Sequence, residues 1–252
     1  MTSVRTLKNQ SGMSLVELLV AVAVGSLVLG VGVIAFTKQQ TLFKNQADSS
    51  TIRALGRFAI QELTRDLRMA GYGLPANKAI TAISSTSITY RSNTDNLVAT
   101  TPSSINSGSS NITVVSATGF AAGQNVAIFY PFSNTTSDLK AISSVSGNII
   151  TLTSGTANAY SKFPNMVVGY HAIAYTYDSA NTKITKTLDG ASSDLIANVT
   201  GLALVYKDKT GTVTATLANI RRIDITLTLQ DPDNPNATST FNTQVNLRNM
   251  NQ

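Results

Sequence analysis

Ser11-Gly12-Met13-Ser14-Leu15-Val16-Glu17-Leu18-Leu19-Val20 opens an apolar run that continues to Phe36. A short basic leader carrying Arg5 and Lys8 precedes it. From Met13 to Phe36 every residue is apolar or small except Glu17, the one charge in the run. As a helix these 24 residues would extend about 36 Å at ~1.5 Å per residue, enough for a hydrocarbon core of ~30 Å. The run can cross a membrane, and the rest of the chain reads as what it holds and presents.

Three readings compete for this segment. A cleaved secretory signal needs a shorter apolar core and a small-x-small site beyond it. Ala21-Val22-Ala23 offers such a triplet, but inside the apolar run and with no polar boundary behind it. A permanent anchor explains the length but leaves Glu17 unexplained, since a carboxylate at the centre of a spanning helix costs ~2.5–3.5 kcal/mol. Arg5 and Lys8 before the run and Lys38 and Lys44 after it leave the positive-inside signal nearly balanced.

The third reading uses every residue. Gly12-Met13-Ser14-Leu15-Val16-Glu17 resembles the type III signal of type IV pilins and pseudopilins. That resemblance implies cleavage after Gly12 by prepilin peptidase, N-methylation of Met13 and a mature chain with Glu17 at its fifth position. Met13 stands where the family usually has phenylalanine. The role implied for Glu17 is subunit assembly. A carboxylate in an apolar setting is stabilised when it pairs with a cation, here the terminal amine of a neighbouring subunit.

Downstream, the chain stays free of proline from Phe36 to Pro75. Ile52, Leu55, Phe58, Ala59, Leu63, Leu67 and Ala70 recur at helical spacing, with Arg53, Arg57, Glu62, Arg65, Asp66 and Arg68 between them. Glu62 and Arg65 are placed for a local ion pair. Gly71, Gly73 and Pro75 end the helix. Asp66-Leu67-Arg68-Met69-Ala70-Gly71-Tyr72 resembles the helix exit of PilW-type minor pilins, and Val245-Asn246-Leu247-Arg248-Asn249 resembles their closing strand. Gly71 is expected at positive φ, with Tyr72 stapling the turn.

From residue 80 onward short alternating segments between Ser, Asn, Gly and Asp clusters predict an antiparallel sheet protein. The clearest strand is Arg222–Gln230, and Phe241–Leu247 is expected to form a hairpin with it. The expected fold class is α+β: a long N-terminal helix packed on a β-rich head. The expected organisation is a leader at 1–12, a membrane or fibre-core helix at 13–36 and an amphipathic helix at 37–75. A head follows at 76–252, with a β insertion at about 97–163.

Composition points away from an enzyme. Charged residues make up 13% of the 252, cysteine is absent, and His171 is the only histidine. No P-loop, dinucleotide-binding glycine pattern, H-E-x-x-H or G-x-S-x-G occurs. His171 alternates with Ile173, Tyr175 and Tyr177, as a partly buried strand histidine does. Asp231-Pro232-Asp233-Asn234-Pro235-Asn236 is the one dense oxygen cluster. Asp231 and Asp233 are its calcium candidates, although a Pro- and Asn-rich turn needs no metal. No cofactor is expected. The net charge of +6 is scattered, so nucleic acid is not expected as a partner, Arg53, Arg57, Arg65, Arg68, Arg221 and Arg222 being the candidate contacts.

The resemblance implies a minor pilin that helps initiate assembly of a type IV pilus at or near its tip. Its implied partners are other minor pilins, the major pilin, prepilin peptidase, the inner-membrane assembly platform and, before assembly, lipid. The location implied is the bacterial inner membrane with the head in the periplasm, then the cell surface. A J-type pseudopilin of a type II secretion system and a membrane-anchored surface adhesin are the alternatives.

Overall fold

A computed structural model describes residues 14–132, 136–162, 164–232, 234 and 237–250. Helix α1 runs unbroken over Leu15–Arg68. Contacts divide the chain into two units, Met1–Ser50 and Thr51–Gln252, and the two parts of α1 obey different rules.

In the first unit every helical side chain from Leu15 to Ala47 is exposed, and this stretch is long and apolar enough to cross a membrane. Its hydroxyls turn back on the helix's own carbonyls. Ser26 donates to Ala23 at 2.8 Å, Thr37 to Ile34 at 3.0 Å and Thr41 to Thr37 at 3.0 Å. That is the arrangement a hydrocarbon surrounding demands, since it supplies no hydrogen bonds of its own.

In the second unit α1 buries a single stripe, Ile52, Gly56, Ala59, Leu63 and Leu67. The helix gives way to a turn in which Gly71 and Gly73 both take φ of +75°. There a Cβ on Gly71 would meet that of Ala79 at 2.7 Å. Tyr72 donates its hydroxyl to the Asn96 amide oxygen at 3.2 Å. The short helix α2 (Ala76–Ala79) leads into the sheets.

The strands are β1 (Ile80–Ile83), β2 (Ser87–Ser92), β3 (Val98–Thr100), β4 (Asn111–Thr113), β5 (Asn125–Phe129), β6 (Ser137–Ser146) and β7 (Ile149–Leu152). They continue with β8 (Met166–Asp178), β9 (Lys183–Leu188), β10 (Ala191–Ala197), β11 (Val199–Lys207), β12 (Arg222–Gln230) and β13 (Thr238–Asn246). All pairings between them are antiparallel. The larger sheet has the order β1-β2-β8-β5-β6-β7-β4, with β3 and β9 also on β8 and β10 on β9. The smaller is β11-β12-β13.

Strand β8 is the hub. Its first part, Met166–Tyr170, pairs with β3 and β5, and its second part, from His171 on, pairs with β2 and β9. The two parts serve separate cores. One holds the α1 stripe together with Tyr90, Tyr175, Ile184, Ile223, Ile225, Leu227 and Val245. The other is built from residues between Ala99 and Val167, among them Ile112, Phe120, Val126, Ile128 and Ile150. The structure is α+β, a long helix on antiparallel sheet.

Candidate functional site: an assembly helix and two charged clusters

Gly12 and Met13 lie outside the described residues. Glu17 is described, and exposed. Ser14 stands just before the helix, and its backbone N–H donates to the Glu17 carboxylate at 3.0 Å while its hydroxyl accepts from the Val16 N–H at 3.4 Å. The Leu18 N–H bonds the Ser14 carbonyl at 3.2 Å, the first helical bond. Ser14-Leu15-Val16-Glu17 thus caps the helix from both sides. The Ser14 hydroxyl takes the second rather than the third helical N–H of a full capping box, while Glu17 satisfies the Ser14 N–H and sits at the positive end of the dipole. S-x-x-E ahead of an apolar run carries this capping signal alongside the assembly role expected of Glu17.

At the other end of α1 a second carboxylate fastens the helix to the sheet. Asp66 Oδ2 accepts from the Tyr175 hydroxyl at 2.6 Å and from Lys186 Nζ at 2.5 Å, and Glu62 lies 3.7 Å from the same ammonium. Arg65 joins Glu62 at 2.8 Å, the local pair expected from spacing. Burial, then the hydrogen bond to Asp66, push the Tyr175 hydroxyl far above the usual tyrosine range, so it stays a donor. Burial does the same to Tyr90 beside it, whose buried hydroxyl has no hydrogen-bond partner among the described residues.

His171 is a partly buried strand histidine, as its alternation predicts, but both ring nitrogens are engaged. Nδ1 meets Asp189 at 2.5 Å and Nε2 meets Asp95 at 2.9 Å, while the other Asp189 oxygen accepts from the Ala172 N–H at 2.8 Å. The cluster ties the loop after β2 and the β9–β10 turn to β8 beside a cavity of about 310 Å³. Partial burial disfavours the charged ring, and the hydrogen bonds to Asp189 and Asp95 outweigh it, raising the His171 pKa. The three side chains of the cluster bind one another.

Of the two calcium candidates the structure describes Asp231 alone. Asp231 is buried at the mouth of the β12–β13 hairpin, where its carboxylate accepts from the Asn234 N–H at 3.3 Å, and Asp233 lies outside the described residues. Among the described residues no group of three or more His, Asp or Glu side chains is placed to hold a metal ion.

A capped apolar helix with a carboxylate in its first turn, exposed along its whole first part, now has a counterpart among known proteins. Residues 7–33 match the model of the prokaryotic N-terminal methylation motif. This is a prepilin-type signal. It supports a type IV pilin-like protein, fits a pilin or a pseudopilin, and points to a structural protein more than an enzyme. The match ends within the apolar helix, so the head stands outside it. No curated protein matches the chain. One solved structure shares a fragment, the Gp54 tailspike of Acinetobacter baumannii bacteriophage AP22 in complex with A. baumannii capsular saccharide. Identity is 15%, the TM-score is 0.27, and the alignment covers 32% of this chain and 15% of that one. So slight a likeness carries no argument about the head.

Proposed function

We propose that the chain is a PilW-type minor pilin, a structural and non-enzymatic subunit that helps start type IV pilus assembly at or near the tip. In this reading prepilin peptidase cuts between Gly12 and Met13, Met13 is methylated, and the apolar part of α1 anchors the head in the inner membrane. The same helix then enters the fibre core. The partners are the other minor pilins, the major pilin and the assembly platform, and the head faces the periplasm before reaching the cell surface. The observation that carries the reading is the fully exposed apolar stretch of α1 led by Glu17. Such a surface is stable only in lipid or among other helices like it.

Glu17 does two jobs in this reading, capping its own helix and pairing with a neighbour's terminal amine, and two substitutions separate them. Ser14→Ala weakens the cap by ~1 kcal/mol but leaves the carboxylate, so fibres should still incorporate the subunit. Glu17→Ala removes both functions and should abolish incorporation while the head stays folded. Normal incorporation of the Glu17→Ala chain would rule out the assembly role.

A further inference from the structure

Among the described residues the head leaves one long strand edge bare. Elsewhere among the described residues the edges are short, irregular or covered. Strand β4 has three residues and β1 four, β1 with a break in register. Strand β10 is bulged between Asp194 and Ile196, and Asp194 is paired with Lys183. Strand β11 shifts register between Val199 and Gly201. Its outer side is partly covered, Leu204 N–H bonding Ser85 O at 2.7 Å and Thr214 N–H bonding Tyr206 O at 3.0 Å.

Strand β13 has none of these protections. Its nine residues, Thr-Ser-Thr-Phe-Asn-Thr-Gln-Val-Asn, hold no charge and no proline. Their register with β12 is unbroken from Gln230↔Thr238 to Arg222↔Asn246. The bonds from Asp231 N–H to Ala237 O and from Leu247 N–H to Arg221 O set the phase. Odd-numbered residues turn their backbone groups toward β12. Thr240, Asn242 and Gln244 turn theirs outward, as a ready template for another strand.

The flank of α1 beside this edge is basic. Phe241 packs against Gly56, and Asn249 donates to the carbonyls of Arg68 and Ala70 at 3.3 Å, so β13 and its extension follow the helix. At 3.6 residues per turn, Arg53, Arg57, Thr64 and Arg68 share the flank opposite Glu62 and Asp66, which face Lys186 of the larger sheet. Among the described residues Arg53, Arg57 and Arg68 are exposed and form no ion pair, and the buried Thr64 hydroxyl has no hydrogen-bond partner.

From this juxtaposition we propose that β13 is a docking edge for an extended acidic segment of a partner protein. The segment adds a strand to the β11-β12-β13 sheet and sets its carboxylates against Arg53, Arg57 and Arg68. Backbone hydrogen bonds supply the affinity and the arginines choose the sign of charge. The site needs only the head, and holds whether or not the head rides on a fibre.

Binding of a fluorescent nine-residue peptide to the full chain in detergent micelles, followed by anisotropy, tests this. The peptide carries Thr on one face and Val with two Asp on the other. It should bind, with a Lys-for-Asp version ~10-fold weaker or worse. Methylating the peptide's alternate amides should also cost ~10-fold, about the worth of one to three hydrogen bonds. Gln244→Pro should do the same from the protein side, and Arg53→Glu with Arg57→Glu should reverse the charge preference. The methylated peptide leaves the protein untouched, so a Gln244→Pro chain that fails to fold does not blunt the test. No binding, or binding indifferent to amide methylation, would overturn the proposal. Tighter binding of a single-stranded oligonucleotide of equal charge would also overturn it, marking the arginines as a phosphate-binding surface.

Discussion

Residues 15–50 and 51–68 belong to one helix and bury opposite amounts of themselves. In the first stretch large apolar side chains point in every direction, Leu29 being 72% exposed. In the second a buried stripe forms in which Leu63 is 1% exposed, Leu55 and Phe58 stay exposed beside it, and the flanks carry charge. An all-round apolar helix is built for a solvent of lipid or other helices, and a striped one for a single sheet. Local backbone preference does not distinguish the two. What each residue is expected to touch does.

The contrast is sharpest in stability. Leu63→Ala should lower the head's unfolding free energy by ~2–5 kcal/mol, seen as a lower midpoint in chemical denaturation. Leu29→Ala, in the other unit, should leave that midpoint unchanged. Equal losses from both would break the comparison.

Gly56 gives a smaller effect of opposite origin. A Cβ there would lie 2.2 Å from the Phe241 ring, so Gly56→Ala must displace the ring and should cost ~1–3 kcal/mol despite alanine's better helix propensity. Gly30, with nothing within 4 Å, should accept alanine without loss to the head. The same denaturation curves read both.

The smallest effect is at His171. A neutral imidazole has one N–H and cannot donate to both Asp95 and Asp189. Its folded pKa is raised above the ordinary 6.5. The stabilisation is therefore full below that ordinary value and lost as pH rises through the folded pKa. His171→Gln should flatten this part of the stability–pH curve by less than ~1 kcal/mol. The only histidine in the chain can be followed alone by NMR titration. A pKa below the ordinary value would contradict the two-carboxylate arrangement.

Much of the fold was legible because it is periodic. Arg222–Gln230 alternates strictly and forms β12 over those very residues. Of the expected helical stripe, Ile52, Ala59, Leu63 and Leu67 are buried on α1, whereas Leu55 and Phe58 lie off that face and are exposed. Strands β1, β3 and β10 carry no such alternation. They are short or polar, and they are strands because β2, β8 and β9 supply partners. The site divides in the same way. Glu17 and its cap are local and readable, whereas Asp66 meets Tyr175 and Lys186 from 109 and 120 residues away, which no spacing announces. The bare edge of β13 needed both the register and the neighbours of every other edge.

The most direct measurement is the mass of the mature N-terminus, taken on the chain purified from cells that hold a prepilin peptidase. The expected chain begins at N-methylated Met13, with the leader through Gly12 gone. A chain that keeps Met1 would contradict the reading of α1 as a processed assembly helix.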